Sequence, residues 1–108
     1  MTLPTMLPGL SRASVGEWCQ AIDEGGFRSL AAGERIAFDN LELLTTLTFA
    51  AARTERVRIA PTIVILPMHP AALMAKQLST LDVLSGGRLD LVVGVGGREQ
   101  DFRCAERP

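Results

Sequence analysis

A continuous apolar run in the middle of the chain places the strongest constraint on its fold. The run reads Thr62-Ile63-Val64-Ile65-Leu66 and ends a segment rich in β-branched residues, 57–66. A strand that is apolar on both faces is typical of a parallel sheet covered by helices on both sides. Because proline cannot donate to a β-ladder, Pro61 predicts a bulge here or a strand that begins late. The run therefore indicates a buried parallel strand in an α/β fold.

Strand and helix patterns alternate along the rest of the chain. We predict four strands, at residues 2–8, 27–32, 57–66 and 89–95. Between them, apolar residues at helical spacing define three helix faces: Val15, Trp18, Cys19 and Ile22; Leu43, Leu44, Leu47 and Ala51; Leu73, Met74, Leu78, Leu81 and Leu84. Strands that alternate with helices predict right-handed crossovers and a parallel sheet.

Short capping and breaking signals predict where the helices begin and end. Ser14-x-x-Glu17 reads as a capping box for the first helix and Asp39-x-x-Glu42 as a cap for the second. Pro70 suits the first turn of the third helix. Glycine pairs at 25–26 and 86–87 terminate the first and third helices.

Two architectures fit this order, an open doubly wound sheet and half of an eight-stranded barrel. An open nucleotide-binding sheet usually carries a GxGxxG loop after its first strand. Here the glycine cluster follows the fourth strand, and Glu99 stands where the last glycine belongs. The match to a dinucleotide loop is therefore weak, although a helix starting directly after Gly97 would favour it.

Composition and charge exclude several classes of function. The formal net charge is −1, which gives no basic field to attract nucleic acid. Hydrophobic residues make up 47% of the chain, which argues for a packed core. Cys19 and Cys104 form no CxxC pair and predict two reduced thiols, and a single histidine argues against a His-based metal site. Because no signal peptide or membrane span is recognisable, we expect a cytoplasmic protein.

Three stretches of the chain share their order and spacing with one enzyme family. They are Gly26-Phe27-Arg28-Ser29-Leu30 through Gly33-Glu34-Arg35; Leu66-Pro67-Met68-His69-Pro70 with Ala75-Lys76-Gln77 and Thr80-Leu81-Asp82; and Leu84-Ser85-Gly86-Gly87-Arg88-Leu89 with Gly94-Val95-Gly96-Gly97 and Asp101-Phe102. On these motifs the chain resembles the luciferase-like monooxygenases, flavin-dependent oxidoreductases. The third stretch is the most specific.

The resemblance implies a (β/α)8 TIM barrel, of which residues 1–108 form a single incomplete domain. This N-terminal half supplies about four parallel strands with three intervening helices, so we expect a fragment that needs the missing half for activity. The family's cofactor is reduced FMN or a deazaflavin coenzyme, seated at the C-terminal ends of the strands. Its usual reactions are oxygen insertion into a small organic substrate, and hydride transfer to or from one.

Barrel chemistry takes place at the C-terminal ends of the strands, which selects Glu34 and Arg35 after the second strand. An acid beside a guanidinium can polarise a ring carbonyl or hold an anionic group. The alternative is a strand-end ion pair between the two. Glu34 is a predicted catalytic and cofactor-binding residue. Many family members have histidine after this acid, so Arg35 puts a histidine-type acid or base role at that position in doubt.

Thr62-Ile63 and His69 are the candidates at the end of the third strand. The resemblance implies an unusual backbone at Thr62-Ile63, in some members a non-proline cis peptide, pressed under the isoalloxazine ring. The alternative is a plain core strand. His69 is a predicted proton donor near the flavin, and the alternative is a residue that caps the next helix or bonds a backbone carbonyl.

Gly94, Gly96 and Gly97 are the candidates after the fourth strand, where absent side chains would let a flat ligand approach the backbone. The alternative, tight barrel geometry, also requires glycine. Asp101-Phe102 is expected to dock the following helix or loop and is given no chemistry.

Three hypotheses for function follow. The first is a flavin-dependent oxidoreductase acting on a small molecule. The second is a non-catalytic half-barrel that pairs with another chain, including a homodimer in which two halves make one pseudo-barrel. The third is an open-sheet nucleotide-binding module. The choice of substrate, and of FMN over the deazaflavin, is not encoded in these residues.

Overall fold

Residues 1–106, the part of the chain that this computed structural model describes, alternate between helices and parallel strands. The helices are α1 (Arg12–Glu24), α2 (Leu43–Ala52), α3 (Ala71–Leu84) and α4 (Glu99–Cys104). The strands are β1 (Ser29–Ala32), β2 (Arg58–Ile65) and β3 (Val92–Gly94), and a 3-10 turn at Leu66–Met68 joins β2 to α3. The strands form one parallel sheet in the order β1-β2-β3, as the alternating pattern predicts.

The predicted first strand, at residues 2–8, is reduced to a single parallel bridge between Thr2 and Ala31. The Leu3 N–H donates to Ala31 O at 2.8 Å, and the Ala31 N–H donates to Met1 O at 2.9 Å. Pro4 follows and has no N–H with which to continue the ladder. The sheet therefore has three strands and one bridge where four full strands were expected.

The first helix begins before the predicted capping box. The Ser14 N–H donates to Ser11 Oγ at 3.1 Å, and the Ser11 N–H donates to Ser14 Oγ at 2.8 Å. The box is therefore Ser11 with Ser14, and the prediction of Ser14 with Glu17 is wrong. A hydroxyl at the third helical position replaces the expected carboxylate and satisfies the same backbone donor.

The caps of α2 and α3 also differ from the predicted ones. Glu42, not Asp39, caps α2, and its carboxylate accepts N–H bonds from Leu44 and Thr45 at 3.1 and 2.6 Å. Pro70 is the N-cap of α3 and lies just outside its first turn. In both helices the extended backbone of the preceding residue decides where the first turn starts.

The central strand β2 carries the irregularity that Pro61 predicts, displaced toward its C-terminal end. Pro61 itself pairs in register with Ala32 of β1. On the other side the register shifts between Thr62 and Val64, and the Thr62-Ile63 peptide bond is cis. Both neighbours of β2 are parallel, so β2 is the buried middle of the sheet.

The last strand is shorter than the predicted 89–95 and is followed by a helix. Only Val92–Gly94 pair as a strand, and Leu89 contributes an isolated bridge to Ile59. The segment expected to be a polar tail forms α4 instead. Its first turn follows the Gly96-Gly97 turn directly and brings Asp101 back toward the sheet.

The core lies between the sheet and helices α1, α2 and α3. Its fully buried members come from every layer: Cys19, Ile22, Leu30, Leu43, Leu47, Val57, Ile59 and Val64. Three residues expected on buried helix faces remain exposed: Trp18, Leu73 and Leu84. Strand β3 is also exposed, with Val92 and Val93 about half covered. The described residues therefore leave apolar surface uncovered at one edge of the sheet and on the outer helix faces.

Cys19 is buried and Cys104 is exposed, and both are free thiols in the described structure. Burial raises the pKa of the Cys19 thiol, so it stays protonated and serves as a small core residue. No helix within residues 1–106 has both the length and the apolar character to cross a membrane.

Candidate active site

A pocket of about 390 Å³ opens at the C-terminal ends of the three strands. Its walls come from the segments that follow β1 and β3, the end of β2, and the N-terminal loop. The lining residues are Met6, Gly33, Glu34, Arg35, Phe38, Thr62, Ile63, Ile65, Gly96, Gly97 and Arg98. Six of the eight predicted site residues are among them, whereas His69 and Gly94 are not. Other cavities lie between the outer faces of the helices, away from the strand ends.

Glu34 is buried and joins the ends of β1 and β2. Its Oε2 accepts the Ile65 N–H at 2.7 Å, and its Oε1 lies 2.7 Å from His69 Nε2. Both carboxylate oxygens therefore have a hydrogen-bond partner within the protein, and the side chain is only 2% exposed. A buried carboxylate bonded to an imidazole fixes the orientation of the ring.

His69 has a partner that its sequence context did not reveal. It follows the 3-10 turn, and its side chain does not cap α3, which has no side-chain cap bond. The structural alternative proposed for it, a helix cap or a carbonyl-bonded residue, is replaced by the pair with Glu34. Glu34 lines the pocket, whereas His69 is bonded to Glu34 and is not among the lining residues.

Arg35 does not pair with Glu34, so the strand-end ion pair proposed as an alternative is not formed. Its Nε donates to Asp101 Oδ2 at 2.9 Å, and its guanidinium lies over the Phe38 ring, 4.9 Å from Cζ to the centroid. Glu34 and Arg35 turn to different partners, one toward β2 and one toward α4. Because Glu34 and Arg35 are adjacent in sequence, the Glu34–His69 pair and the Arg35–Asp101 pair lie side by side at the end of β1.

Asp101 is a residue that sequence analysis did not assign to the site. It is fully buried and accepts N–H bonds from Ile36 at 2.8 Å and Ala37 at 2.6 Å in addition to Arg35. Burial by itself pushes the pKa of Asp101 up, but the Ala37, Ile36 and Arg35 bonds outweigh it and hold this pKa below its usual value. Asp101 thus docks α4 onto the loop after β1, where docking onto the following helix or loop was expected. In the sequence, the only local indication of this role was an acid in the first turn of a helix.

Gly94, the last residue of β3, and the two glycines that follow the strand have different surroundings. A Cβ on Gly94 would overlap Ile63 Cδ1, and a Cβ on Gly96 would lie 2.5 Å from Ile65 Cγ2. Gly96 also has a φ of +73°. Its positive φ and the close contact with Ile65 are therefore sufficient to require glycine at 96, as the structural alternative holds, whereas Gly94 meets only the movable end of the Ile63 side chain. A Cβ on Gly97 would meet nothing within 4 Å, which leaves open space beside the pocket.

The cis peptide implied at Thr62-Ile63 is present, and both residues line the pocket. No cluster of three or more metal-ligating side chains occurs among the described residues. Helix α4 begins two residues after Gly97, the feature that would favour a nucleotide-binding module. Its first turn, however, carries Glu99 and Asp101, whose charges oppose a bound phosphate.

Parallel strands joined by helices, with a pocket at their C-terminal ends, fit part of a (β/α)8 barrel and also an open doubly wound sheet, and the comparisons that follow select the barrel. Residues 4–105 match the family model of the luciferase-like monooxygenases. The chain belongs to this family.

Two curated relatives are monooxygenases. The chain is 35% identical over 102 residues to 4-hydroxyprotoasukamycin monooxygenase from Streptomyces nodosus subsp. asukaensis, covering 88% of this chain and 26% of that enzyme. It is 32% identical over 105 residues to 2,5-diketocamphane 1,2-monooxygenase 1 from Pseudomonas putida, covering 91% and 29%. The chain therefore spans less than a third of the length of these relatives.

Solved structures show the same fold. Monooxygenase RslO1 from Streptomyces bottropensis matches 87% of this chain and 30% of its own, with a TM-score of 0.79 at 28% identity. The oxygenating constituent of 3,6-diketocamphane monooxygenase from Pseudomonas putida, in complex with FMN, matches 97% and 31%, with a TM-score of 0.82 at 24% identity. Coenzyme F420 dependent tetrahydromethanopterin reductase from Methanopyrus kandleri matches 100% and 29%, with a TM-score of 0.73 at 23% identity.

Proposed function

We propose that this chain forms the N-terminal part of a flavin-dependent oxidoreductase of the monooxygenase type, acting on a small organic substrate. The observation that carries the proposal is the Glu34–His69 pair beside a pocket lined by Glu34 and by Thr62 and Ile63 of β2. The monooxygenase activity of the two curated relatives supports the reaction class. The FMN complex of one structural neighbour and the F420 dependence of another support FMN or a deazaflavin as cofactor.

The pocket suits the flat ring system of such a cofactor. Its volume of about 390 Å³ falls within the usual range of ligand sites, about 300–1,000 Å³. Ile63 and Ile65 offer an apolar wall, and Gly97 leaves its side open. Cofactor phosphates in barrels commonly bind after strands seven and eight. The described strands would therefore contact mainly the ring.

The residues of this chain would bind the ring and handle protons around it. A bound flavin supplies the hydride or oxygen chemistry itself. Glu34 lines the pocket and is bonded to His69, which is not among the lining residues, so Glu34 would be the member of the pair that exchanges a proton with a bound molecule. His69, predicted as a direct proton donor, is then proposed to act through Glu34. Thr62 and Ile63 would pack against the ring, with Gly96 and Gly97 bordering it.

The test is a titration of the purified chain with riboflavin and with FMN, followed by fluorescence quenching. We expect saturable binding and similar affinities for both, because the described pocket contacts the ring rather than the phosphate. Gly97→Leu should abolish binding, since its new side chain would fill open space beside the pocket. Gln100→Leu places the same side chain on the exposed part of α4 and should leave binding unchanged.

A folded, monodisperse chain that binds neither flavin would contradict the proposal for this chain by itself. So would a Gly97→Leu variant that binds as well as the unaltered protein. Circular dichroism of each variant establishes that the fold is retained.

A second candidate function is a non-catalytic half-barrel that pairs with a second copy of the chain. The observation that favours it is the uncovered edge strand, where Leu91, Val92 and Val93 are each 44–46% exposed and Val95 is 77% exposed. An unpaired apolar edge favours association with another chain. A symmetric dimer in light scattering would support pairing, and a folded monomer would contradict it. The incomplete domain at residues 1–108 and the cytoplasmic location stay predictions.

A further inference from the structure

We propose that Arg35 and Arg98 form a carboxylate-binding subsite at the rim of the pocket, so that the substrate is a small apolar molecule carrying a carboxylate. This inference rests on the proposed function, because it assigns a substrate class to the same pocket. It concerns side chains that the proposed proton path does not use.

Arg35 is held in place before any ligand arrives. Its Nε is bonded to the fully buried Asp101, and its Cζ lies over the Phe38 ring. Within residues 1–106 its Nη1 and Nη2 atoms donate no hydrogen bond, and no buried side-chain nitrogen there lacks a partner. The outer Nη edge is therefore solvent-accessible and free to bind. A guanidinium fixed in this way loses little conformational entropy when it binds a carboxylate.

Arg98 supplies a second guanidinium on the wall of the same pocket. Its carbonyl accepts the N–H groups of Asp101 and Phe102 at 3.1 and 3.4 Å, which fixes its backbone at the start of α4. Its side chain is exposed and makes no hydrogen bond or ion pair among the described residues. Because Arg98 is exposed, the subsite lies at the rim, where a bound carboxylate keeps part of its hydration.

The acids near the two arginines are each bonded within the described structure, Asp101 to Arg35 and Glu99 to Arg103. Glu34 is the acid that lines the pocket, and both of its oxygens are engaged, one by the Ile65 N–H and one by His69. Met6 and Ile63 contribute apolar side chains to the same lining. Two cationic groups beside apolar side chains match a ligand with a carboxylate at one end and a hydrocarbon body at the other.

The experiment compares benzoate with benzamide, which has the same ring and no charge. Each is titrated into the labelled chain and followed by NMR chemical shifts of the pocket residues and of the arginine side chains. We expect saturable benzoate binding at Arg35 and Arg98, and benzamide binding weaker by at least about tenfold, as befits a lost charged hydrogen bond. Inorganic phosphate as competitor distinguishes a planar carboxylate site from one for a cofactor phosphate.

Arg98→Gln is the main variant, because its exposed side chain has no partner to lose and the fold should be retained. It should weaken benzoate binding about fivefold to tenfold and leave benzamide binding unchanged. Arg103→Gln, on the exposed side of α4, is the matched control and should change neither. Arg35→Gln should abolish the preference for benzoate, provided its circular dichroism is unchanged.

Equal affinity for benzoate and benzamide would overturn the subsite, as would an Arg98→Gln variant that binds benzoate normally. Phosphate binding tighter than benzoate would also overturn it in favour of a cofactor-phosphate site. Riboflavin binding, measured in parallel, separates the two proposals. If riboflavin binds and benzoate shows no preference, only the substrate class fails; if benzoate binds and riboflavin does not, the flavin site fails.

Discussion

The Nε atom of Arg35 donates to the Oδ2 atom of Asp101 at 2.9 Å, which joins two segments that lie 66 positions apart in the chain. The second oxygen of the same carboxylate accepts the N–H groups of Ile36 and Ala37. Asp101 thus holds residues 35–37 of the loop after β1, directly beside Glu34. The shape of the candidate site depends on α4, the helix that follows the last strand.

Asp101→Asn should destabilise the fold by about 3 kcal/mol, because asparagine has one acceptor oxygen where aspartate has two. Either the Arg35 Nε or the Ile36 and Ala37 N–H groups then face an amide NH2 that cannot accept. Urea unfolding followed by circular dichroism measures the change in free energy. Glu99→Gln is the control, since the Glu99–Arg103 pair is exposed and a surface pair contributes less than about 1 kcal/mol. Equal effects of the two substitutions would contradict the role given to Asp101.

The stability of the protein should fall in acid, and Asp101 should account for part of the fall. Burial raises the pKa of Asp101, but the bonds from Ala37, Ile36 and Arg35 lower this pKa by more than burial raises it. The folded-state pKa therefore lies below the unfolded value of about 3.9. The stabilisation is complete above the unfolded pKa and is lost as the pH falls through the folded pKa. Unfolding free energies measured from pH 6 to pH 2 should therefore fall less steeply in Asp101→Asn. Parallel profiles would contradict this.

The His69 imidazole should carry its proton on Nε2 when the ring is neutral. A carboxylate has no hydrogen to give, so the bond to Glu34 Oε1 requires Nε2 to donate. Long-range ¹H–¹⁵N NMR spectra distinguish the two neutral tautomers. In Glu34→Gln the carboxamide can accept or donate, so the preference should weaken. A ring protonated on Nδ1 in the unaltered protein would show that the pair is not formed.

Neighbouring glycines should respond differently to alanine. Gly96→Ala should cost about 1–3 kcal/mol, because Gly96 has a φ of +73° and its new Cβ would lie 2.5 Å from Ile65 Cγ2. Gly97→Ala should be tolerated, since its Cβ would meet nothing within 4 Å. Thermal unfolding of both variants provides the comparison. A larger loss at Gly97 than at Gly96 would contradict the assignment of close packing to Gly96.

Arg88→Lys should destabilise the end of the sheet that lies opposite the pocket. The Arg88 guanidinium donates to the carbonyls of Ala51, Thr54 and Val57 at 2.9–3.0 Å, and its Nε donates to Ser85 O at 2.5 Å. A lysine ammonium keeps the charge but has three donors on one atom and does not reach acceptors spread around a planar fork. We expect a loss of about 2 kcal/mol in urea unfolding. A change within 0.5 kcal/mol, roughly that of an ordinary surface substitution, would contradict this role.

Local patterns accounted for the type and order of most elements. The run at 62–66 predicted the central strand, and apolar spacing placed the second and third helices within a few residues of their observed bounds. The errors fell at helix caps and at chain ends. Ser11 and Glu42 replaced the expected caps because a hydroxyl or carboxylate at several nearby positions can satisfy the same backbone donors.

Six of eight predicted site residues line one pocket because the C-terminal ends of parallel strands lie at the same edge of a sheet. Applying this geometric rule requires only the positions of the strands, which the apolar pattern of the sequence indicates. The resemblance to the family added the cis peptide at Thr62-Ile63, which apolar patterning does not encode. Tight barrel geometry was the alternative given for Gly94 and Gly96, but neither source identified Ile63 and Ile65 as the side chains that pack against them.

The sequence by itself determined that this chain is an α/β protein with a buried parallel strand and a glycine-rich strand end. These features depend on local periodicity and backbone freedom, which a single sequence displays directly. Only the tertiary structure decided that Glu34 pairs with His69 and that Arg35 pairs with Asp101. The partners are 35 and 66 positions apart, so each pair depends on how loops dock at the sheet edge. Side-chain chemistry identifies the groups that can bond, but packing in three dimensions selects which of them meet.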